Sequence, residues 1–491
     1  MDKTESLLGD GPANADQRAL LGRAARKHLH RAELGALSLE PVNRNPVALI
    51  QQQEKNRIQE LLPLRHHRMS QSAFAFYRGS ALLMAHDLAE GRKNTGIHVQ
   101  LCGDAHLANF GLFAAPNRDV LFDINDFDET HPGPFEWDVH RLATSYWLAL
   151  HELGHGDMRG TEIVALLAES YRKAMAHYAR IPEIDIWYEH PNEVWMERTL
   201  DTLTGKSGIK QFKAYIKRAR ERDRWTAVIK LTEAGPKGRQ FTDNPPTLVR
   251  IPLDQAELGR QQELYEDYTT SLDLATQELL GRYRVIDVGH KVVGVGSVGL
   301  TAYVYLLQGF HPGDLIVLQV KEAVPSVMAQ YLTDPSIRHD GKRVVRGQRI
   351  MQAASDLFLG WVRAPLGREF YVRQLRDMKY KPDPQELDLT EIKNLAWLSG
   401  ITLARAHARS GQSIAIHSYL GHSNRFDKAI VAFAEHYTHQ VITDFKAFQT
   451  AISNGTLPEA REDVLPPEFS SDPNHGVFVS ERTPPPPRQK V

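Results

Sequence analysis

Residues 101–138 read LCGDAHLANFGLFAAPNRDVLFDINDFDETHPGPFEWD, and they constrain the fold more than any other part of the chain. Two polar clusters stand in this stretch. Asp104, His106 and Asn109 form the first; Asp123, Asp126, Asp128 and Glu129 form the second. Each follows a short apolar run, at residues 97–101 and 120–122, of the kind that forms strands. Carboxylates at strand ends are expected at one sheet edge, where their oxygens suit a hard cation such as Mg²⁺. The spacing G-D-x-x-x-x-N, then a strand, then N-D-F-D matches the needs of phosphoryl transfer. One Asp orients a hydroxyl nucleophile, the Asn five residues later binds metal, and the second Asp holds metal on the phosphates. The plain alternative is a hairpin with acidic turns, because Asp and Asn are ordinary turn residues.

At 491 residues the chain exceeds one compact core, so two to four lobes are expected. The net charge of -1 makes no electrostatic case for nucleic acid or an anionic membrane surface. Cys102 is the single cysteine, so no disulfide can form within the chain, which fits a reducing cytoplasm. No apolar run approaches the length that spans a bilayer. The expectation is a soluble cytoplasmic protein without nucleic-acid or membrane partners.

Residues 1–45 read as a flexible start followed by a helix. Helical spacing begins at Pro46 and stops at Pro63, and Ser72 opens an amphipathic helix running to Gly91. Arg78 on that helix is a candidate for phosphate, with an ordinary ion pair as the alternative. Asp138 lies near the start of an apolar helix over residues 137–153, where a carboxylate favours the dipole. It is also placed to hydrogen-bond the backbone of the Asp104 loop. Residues 161–280 read as helical, which makes 46–280 a helical catalytic lobe.

The texture turns to strands at Tyr283. VVGVGSVGLTAYVYLL is G-x-G-x-x-G with a strand on both sides, Gly294, Gly296 and Gly299 flanking Ser297. A dinucleotide fold would need a helix after the glycines. A strand–glycine–strand cover instead suits the phosphates of ATP, and the following strand LIVLQVK ends in Lys321, as V-A-I-K does. A glycine-rich hairpin and a solvated strand-end lysine are the plain alternatives. Residues 342–357 read as the helix whose Glu would pair with that lysine, yet its interior offers Gln348 and Gln352; Glu322 and Asp356 are substitutes. Residues 281–380 therefore form a β-rich nucleotide lobe, and 381–468 return as helices. Arg405 and Arg409 share a helix face at i, i+4, either ion-paired or facing substrate phosphate. The tail, 469–491, is polyproline-like and expected to be disordered.

The stretches RMSQSAFAFYRG, QLCGDAHLANFG, FDINDFDETHPGPFEWDVHRLA, GVGSVGLTAYVYLLQG, LQVKEA, GQRIMQAASD, FYVRQLRDMK and LARAHARSG resemble the bacterial family catalogued as domain of unknown function 2252. At fold level that family is similar to kinases of the aminoglycoside and choline type, whose loop reads H-G-D-x-H-x-x-N. Here it is C-G-D-A-H-L-A-N, with Cys102 in place of the first His. The resemblance implies Asp104 as catalytic base beside His106, Asn109 as a metal ligand and Asp126 as principal Mg²⁺ ligand. Asp123 and Asp128 are the alternates, and Asp138 braces the loop. In those kinases the glycine cover and lysine precede the catalytic loop; here they follow it by nearly two hundred residues. The fold class expected is α+β, a protein-kinase-like two-lobed fold in circularly permuted order, since permutation is cheap where termini lie close. The function implied is ATP- and Mg²⁺-dependent phosphoryl transfer to a hydroxyl of a small acceptor. A nucleotidyl transferase of the same fold and a nucleotide-binding pseudokinase are the alternatives.

Overall fold

The computed structural model describes residues 14–36, 44–90, 93–236, 238–245, 247–292, 296, 298–375, 378–381 and 383–460. The expectations for Gly294, Ser297, the opening residues 1–13 and the tail 469–491 lie outside the described residues. The fold is α+β with antiparallel sheets. Among the described residues no helix is long and apolar enough to cross a membrane.

Six strands form the main sheet, in the spatial order Gly360–Arg363, Glu369–Gln374, Leu315–Glu322, Ala302–Gln308, Arg284–Lys291, Leu248–Arg250. The two central strands are buried almost throughout because both faces are covered. Side chains alternate across a strand. Tyr303, Tyr305, Leu307, Ile316, Leu318 and Val320 therefore pack on one face with Leu264, Tyr268 and Leu280. Val304, Leu306, Leu315 and Val317 pack on the other with Val228 and Phe241. Period two carries Gln319 and Lys321 onto that second face, past the end of its apolar cover. The strand–glycine–strand order holds, because Ala302–Gln308 follows the glycines.

The sheet unit starts earlier than residue 281. Leu248–Arg250 is its edge strand, and a hairpin, Thr232–Gly235 with Gly238–Phe241, interrupts the expected helical run. Tyr265 and Tyr268 of helix Gln255–Thr269 are buried against the sheet. The helical periodicity was real, but the packing partner is the sheet. Two helix expectations also shift. Pro63 sits in the first turn of Leu62–Ser70, where a missing N–H costs nothing, so it starts a helix instead of stopping one. The helix expected from Ser72 breaks at Ser80 into Ala73–Gly79 and Ala81–Ala89.

The helical part is centred on Glu136–Glu152, buried along nearly its whole length. Gly156–Tyr178, Leu389–His407 and Arg425–Ser453 surround it. Helix Asp340–Met351 joins the two parts through Arg343. Its guanidinium donates to Thr130 O (2.6 Å), Asp128 O (3.0 Å) and Val324 O (2.8 Å). One buried arginine thus fixes the N-D-F-D loop against the end of the Lys321 strand.

Candidate functional site

The Asp104 loop leaves strand His98–Leu101 and is held by the first turn of the central helix. Asp138 Oδ2 accepts from Cys102 N (2.6 Å) and Oδ1 from Gly103 N (3.0 Å). His407 Nε2 lies 3.2 Å from Asp138 Oδ2, and its Nδ1 lies 2.8 Å from Tyr171 Oη. Gly103 is required by its surroundings. Its φ is +81°, and a Cβ there would lie 1.9 Å from Glu129 O.

Beyond that brace, Asp104 Oδ1 accepts from Arg141 Nε (2.6 Å), and Asn109 Nδ2 donates to Asp104 O (2.8 Å). Burial pushes the Asp104 carboxyl up, against the opposing pull of Arg141. Arg141 also stacks over Tyr77 at 4.3 Å. His106 Nε2 stands 3.6 Å from Asp104 Oδ2. Burial, with Arg78, Arg141 and Lys381 nearby, depresses His106 far enough to keep the imidazole neutral at pH 7. The two clusters are joined by Asn125 N donating to Asn109 O (2.8 Å).

The second cluster divides into three roles. Asp128 receives the Lys321 ammonium on Oδ2 and Tyr371 Oη on Oδ1 (2.6 Å). Asp128 is therefore the carboxylate that meets the strand lysine. Glu322 is taken by Arg368, and Asp356 accepts from Gln374 N and Phe358 N, so neither substitutes. Asp126 Oδ1 is buried without a hydrogen-bond partner among the described residues. Burial alone would raise this carboxyl, but Lys321, Arg373, Lys381 and Lys379 hold it well below the usual range. Asp123 does not reach the cleft. It is fully buried, with Oδ2 accepting from Arg405 Nη2 (2.6 Å) and Ala353 N (2.8 Å). That bridge removes both Asp123 from the metal candidates and Arg405 from the phosphate candidates. Arg409 lies over Trp187 at 4.1 Å, and neither cavity of the cleft includes it. Among the described residues no cluster of three or more His, Cys, Asp or Glu forms a metal site.

Two cavities meet at Asp126 and Lys381. The smaller, about 130 Å³, lies beside Gly296 and brings together Asp104, His106, Asn109, Asp126, Asp128 and Arg78. Arg78 makes no ion pair among the described residues. Gly296 lines this cavity, and the carbonyls of Gly296, Val298 and Gly299 are held from an earlier segment. Arg65 Nη1 donates to Gly296 O (2.9 Å), Arg57 Nη1 to Val298 O (2.6 Å) and Ile58 N to Gly299 O (2.8 Å). The larger cavity, about 890 Å³, holds Lys321, Asp126, Gln319, Arg373, Lys379 and Lys381 among its walls. Nothing in the sequence pattern marks Arg141, Arg343 or Arg373. For Lys379 and Lys381 the signal available was their spacing, two positions apart, five residues past a strand end at Gln374.

No curated protein and no solved structure matches the chain. Residues 57–451 match the family described as uncharacterized proteins conserved in bacteria, DUF2252, which spans all of the site just described. The chain belongs to that family.

Proposed function

We propose that the protein is an ATP- and Mg²⁺-dependent phosphotransferase acting on a hydroxyl of a small-molecule acceptor, on a kinase-like fold in circularly permuted order. One observation carries the reading. The lysine on the strand after the glycine turn meets the N-D-F-D loop, while Asp104 stands on the same cavity as Asp126. Residues almost two hundred positions apart converge on the groups that phosphoryl transfer uses. The order of elements supports permutation. Ser410 Oγ, just past helix Leu389–His407, accepts from Gln100 N (2.9 Å) on the strand that enters the Asp104 loop. Joining those two points would restore the order in which a lysine strand precedes a catalytic loop.

The donors fit Mg²⁺, which takes one or two protein oxygens and otherwise relies on water and phosphate. The unpartnered Asp126 oxygen and Asn109 are those groups, and the metal would supply charge neutralisation on the phosphates. Asp104, held by Arg141, orients the acceptor hydroxyl. Neutral His106 keeps one side of the small cavity free of added charge. Arg141 on Asp104 favours a second reading, since it occupies one oxygen of the expected base: a nucleotide-binding pseudokinase.

The test is ATP turnover with Mg²⁺ and a panel of hydroxyl-bearing metabolites, with mass spectrometry of the products. Phosphate gain that vanishes in Asp104→Ala and Asp126→Ala supports the proposal. Gain of AMP assigns nucleotidyl transfer instead. A rise in melting temperature with ATP and no product identifies the pseudokinase.

A further inference from the structure

In the large cavity, the wall that continues from the Lys321 strand into the linker is cationic. On the face that carries Lys321, the next strand position toward the linker is Gln319, and its register partner is Arg373. Arg373 Nε donates to Gln319 Oε1 (3.2 Å). Lys379 and Lys381 follow on the linker, which is anchored by Met378 N on Arg222 O (3.0 Å) and by Tyr380 paired with Leu112. Neither lysine ammonium makes a hydrogen bond or ion pair among the described residues. Burial pushes both down, Lys381 to about 8, with neighbouring cations adding to the effect. Meanwhile Lys321 is committed to Asp128 and lies over the Tyr371 ring at 5.5 Å. The carboxylates lining this cavity are Asp126, which faces all four cations, Asp356, already satisfied by backbone N–H groups, and Asp223, which caps a helix by accepting from Thr226 N (2.9 Å).

Arg373, Lys379 and Lys381 are half-buried, and three cations gathered on one cavity wall repel one another unless a ligand supplies the counter-charge. The apolar side chains of the same cavity, Phe113, Trp225, Ile316 and Phe358 among them, offer a base contacts that every aromatic ring satisfies alike. We infer that Arg373, Lys379 and Lys381 are the principal phosphate-binding groups of this cleft, and that its ligand is held by a polyphosphate chain with little discrimination between bases. The inference rests on the proposal that the cleft takes a nucleoside triphosphate, and it adds which cations grip it and what they ignore. Charge-assisted contacts from several ammonium and guanidinium groups supply affinity that a base need not add.

The test uses the full chain, calorimetric titration and four probes: ATP, GTP, UTP and inorganic tripolyphosphate, each with Mg²⁺. The three nucleotides are expected to bind within about fivefold of one another, with tripolyphosphate displacing ATP at a similar concentration. Lys379→Gln and Lys381→Gln are each expected to weaken all four probes by about tenfold or more. Removing one of several mutually repelling cations leaves folding intact, so the melting temperature of these variants holds or rises. Lys393→Gln, which removes an exposed pair with Glu162, controls for net charge and leaves binding unchanged. Strong preference for ATP with no tripolyphosphate binding overturns the inference and leaves the phosphotransferase reading standing. Lysine-dependent tripolyphosphate binding without any transfer product does the reverse. Equal loss of binding in Lys393→Gln also overturns the inference, because general charge would then account for the affinity.

Discussion

Asp138→Asn isolates what holds the Asp104 loop in place. The native carboxylate, 1% exposed, accepts from the amides of Cys102 and Gly103 on separate oxygens. An asparagine keeps one acceptor oxygen and turns an NH₂ toward the other amide. One charge-assisted bond, about 1.5–3 kcal/mol, is lost and the survivor is weakened to a neutral one. A buried N–H is left unpaired at about 1–3 kcal/mol, an overlapping cost, so the net loss is about 3 kcal/mol. Denaturant unfolding reads the global effect, and amide hydrogen exchange reads the local one. Cys102 and Gly103 should exchange about a hundredfold faster, because 1.4 kcal/mol is a factor of ten. Amides in helix Gln255–Thr269, which packs on the six-stranded sheet, should change only as far as global stability does. Unchanged midpoint and unchanged exchange at both loop amides would refute the bracing argument.

Further outcomes follow from the same contacts. Arg405→Met leaves the fully buried Asp123 carboxylate without its cation and should cost about 3–5 kcal/mol in urea unfolding. Adding Asp123→Asn to it should recover part of that loss; equal or greater damage in the double variant would contradict a simple buried pair. Gly103→Ala forces a Cβ to within 1.9 Å of Glu129 O at φ +81°, and should yield insoluble or strongly destabilised protein. His106 is neutral when folded and protonates when unfolded, so the unfolded state binds the extra proton below pH 6.5. Stability should fall by up to about 1.4 kcal/mol for each pH unit lost below that point, and His106→Gln should flatten the slope. Parallel pH profiles for the two proteins would show that the histidine is not buried neutral.

The acidic stretch was readable because its information is local. The turn geometry, the strand approaches and the helix start at Asp138 lie within forty residues, where chain connectivity already keeps the groups close. The strand–glycine–strand order and its lysine were readable for the same reason, since period-two apolar runs announce strands whatever they pack against. The antiparallel α+β class follows from these patterns. The edge of the sheet unit was not readable. Periodicity shows that a helix such as Gln255–Thr269 has an apolar face, but not whether a sheet or another helix covers it.

Three features were settled only by tertiary packing. Asp123 and Asp126 stand three residues apart in one acidic run, yet one is buried on Arg405 and the other is left unpartnered at a cavity. Which carboxylate finds a cation depends on residues hundreds of positions away. Lys321 found Asp128, on a distant loop, where a helix glutamate was sought. The cationic linker, Lys379 and Lys381, gained its meaning only when the fold set it beside Asp126. Local sequence fixes which way a backbone runs and which face is apolar. Coulomb interactions and desolvation act through space, so the pairing of charges is decided by the assembled fold.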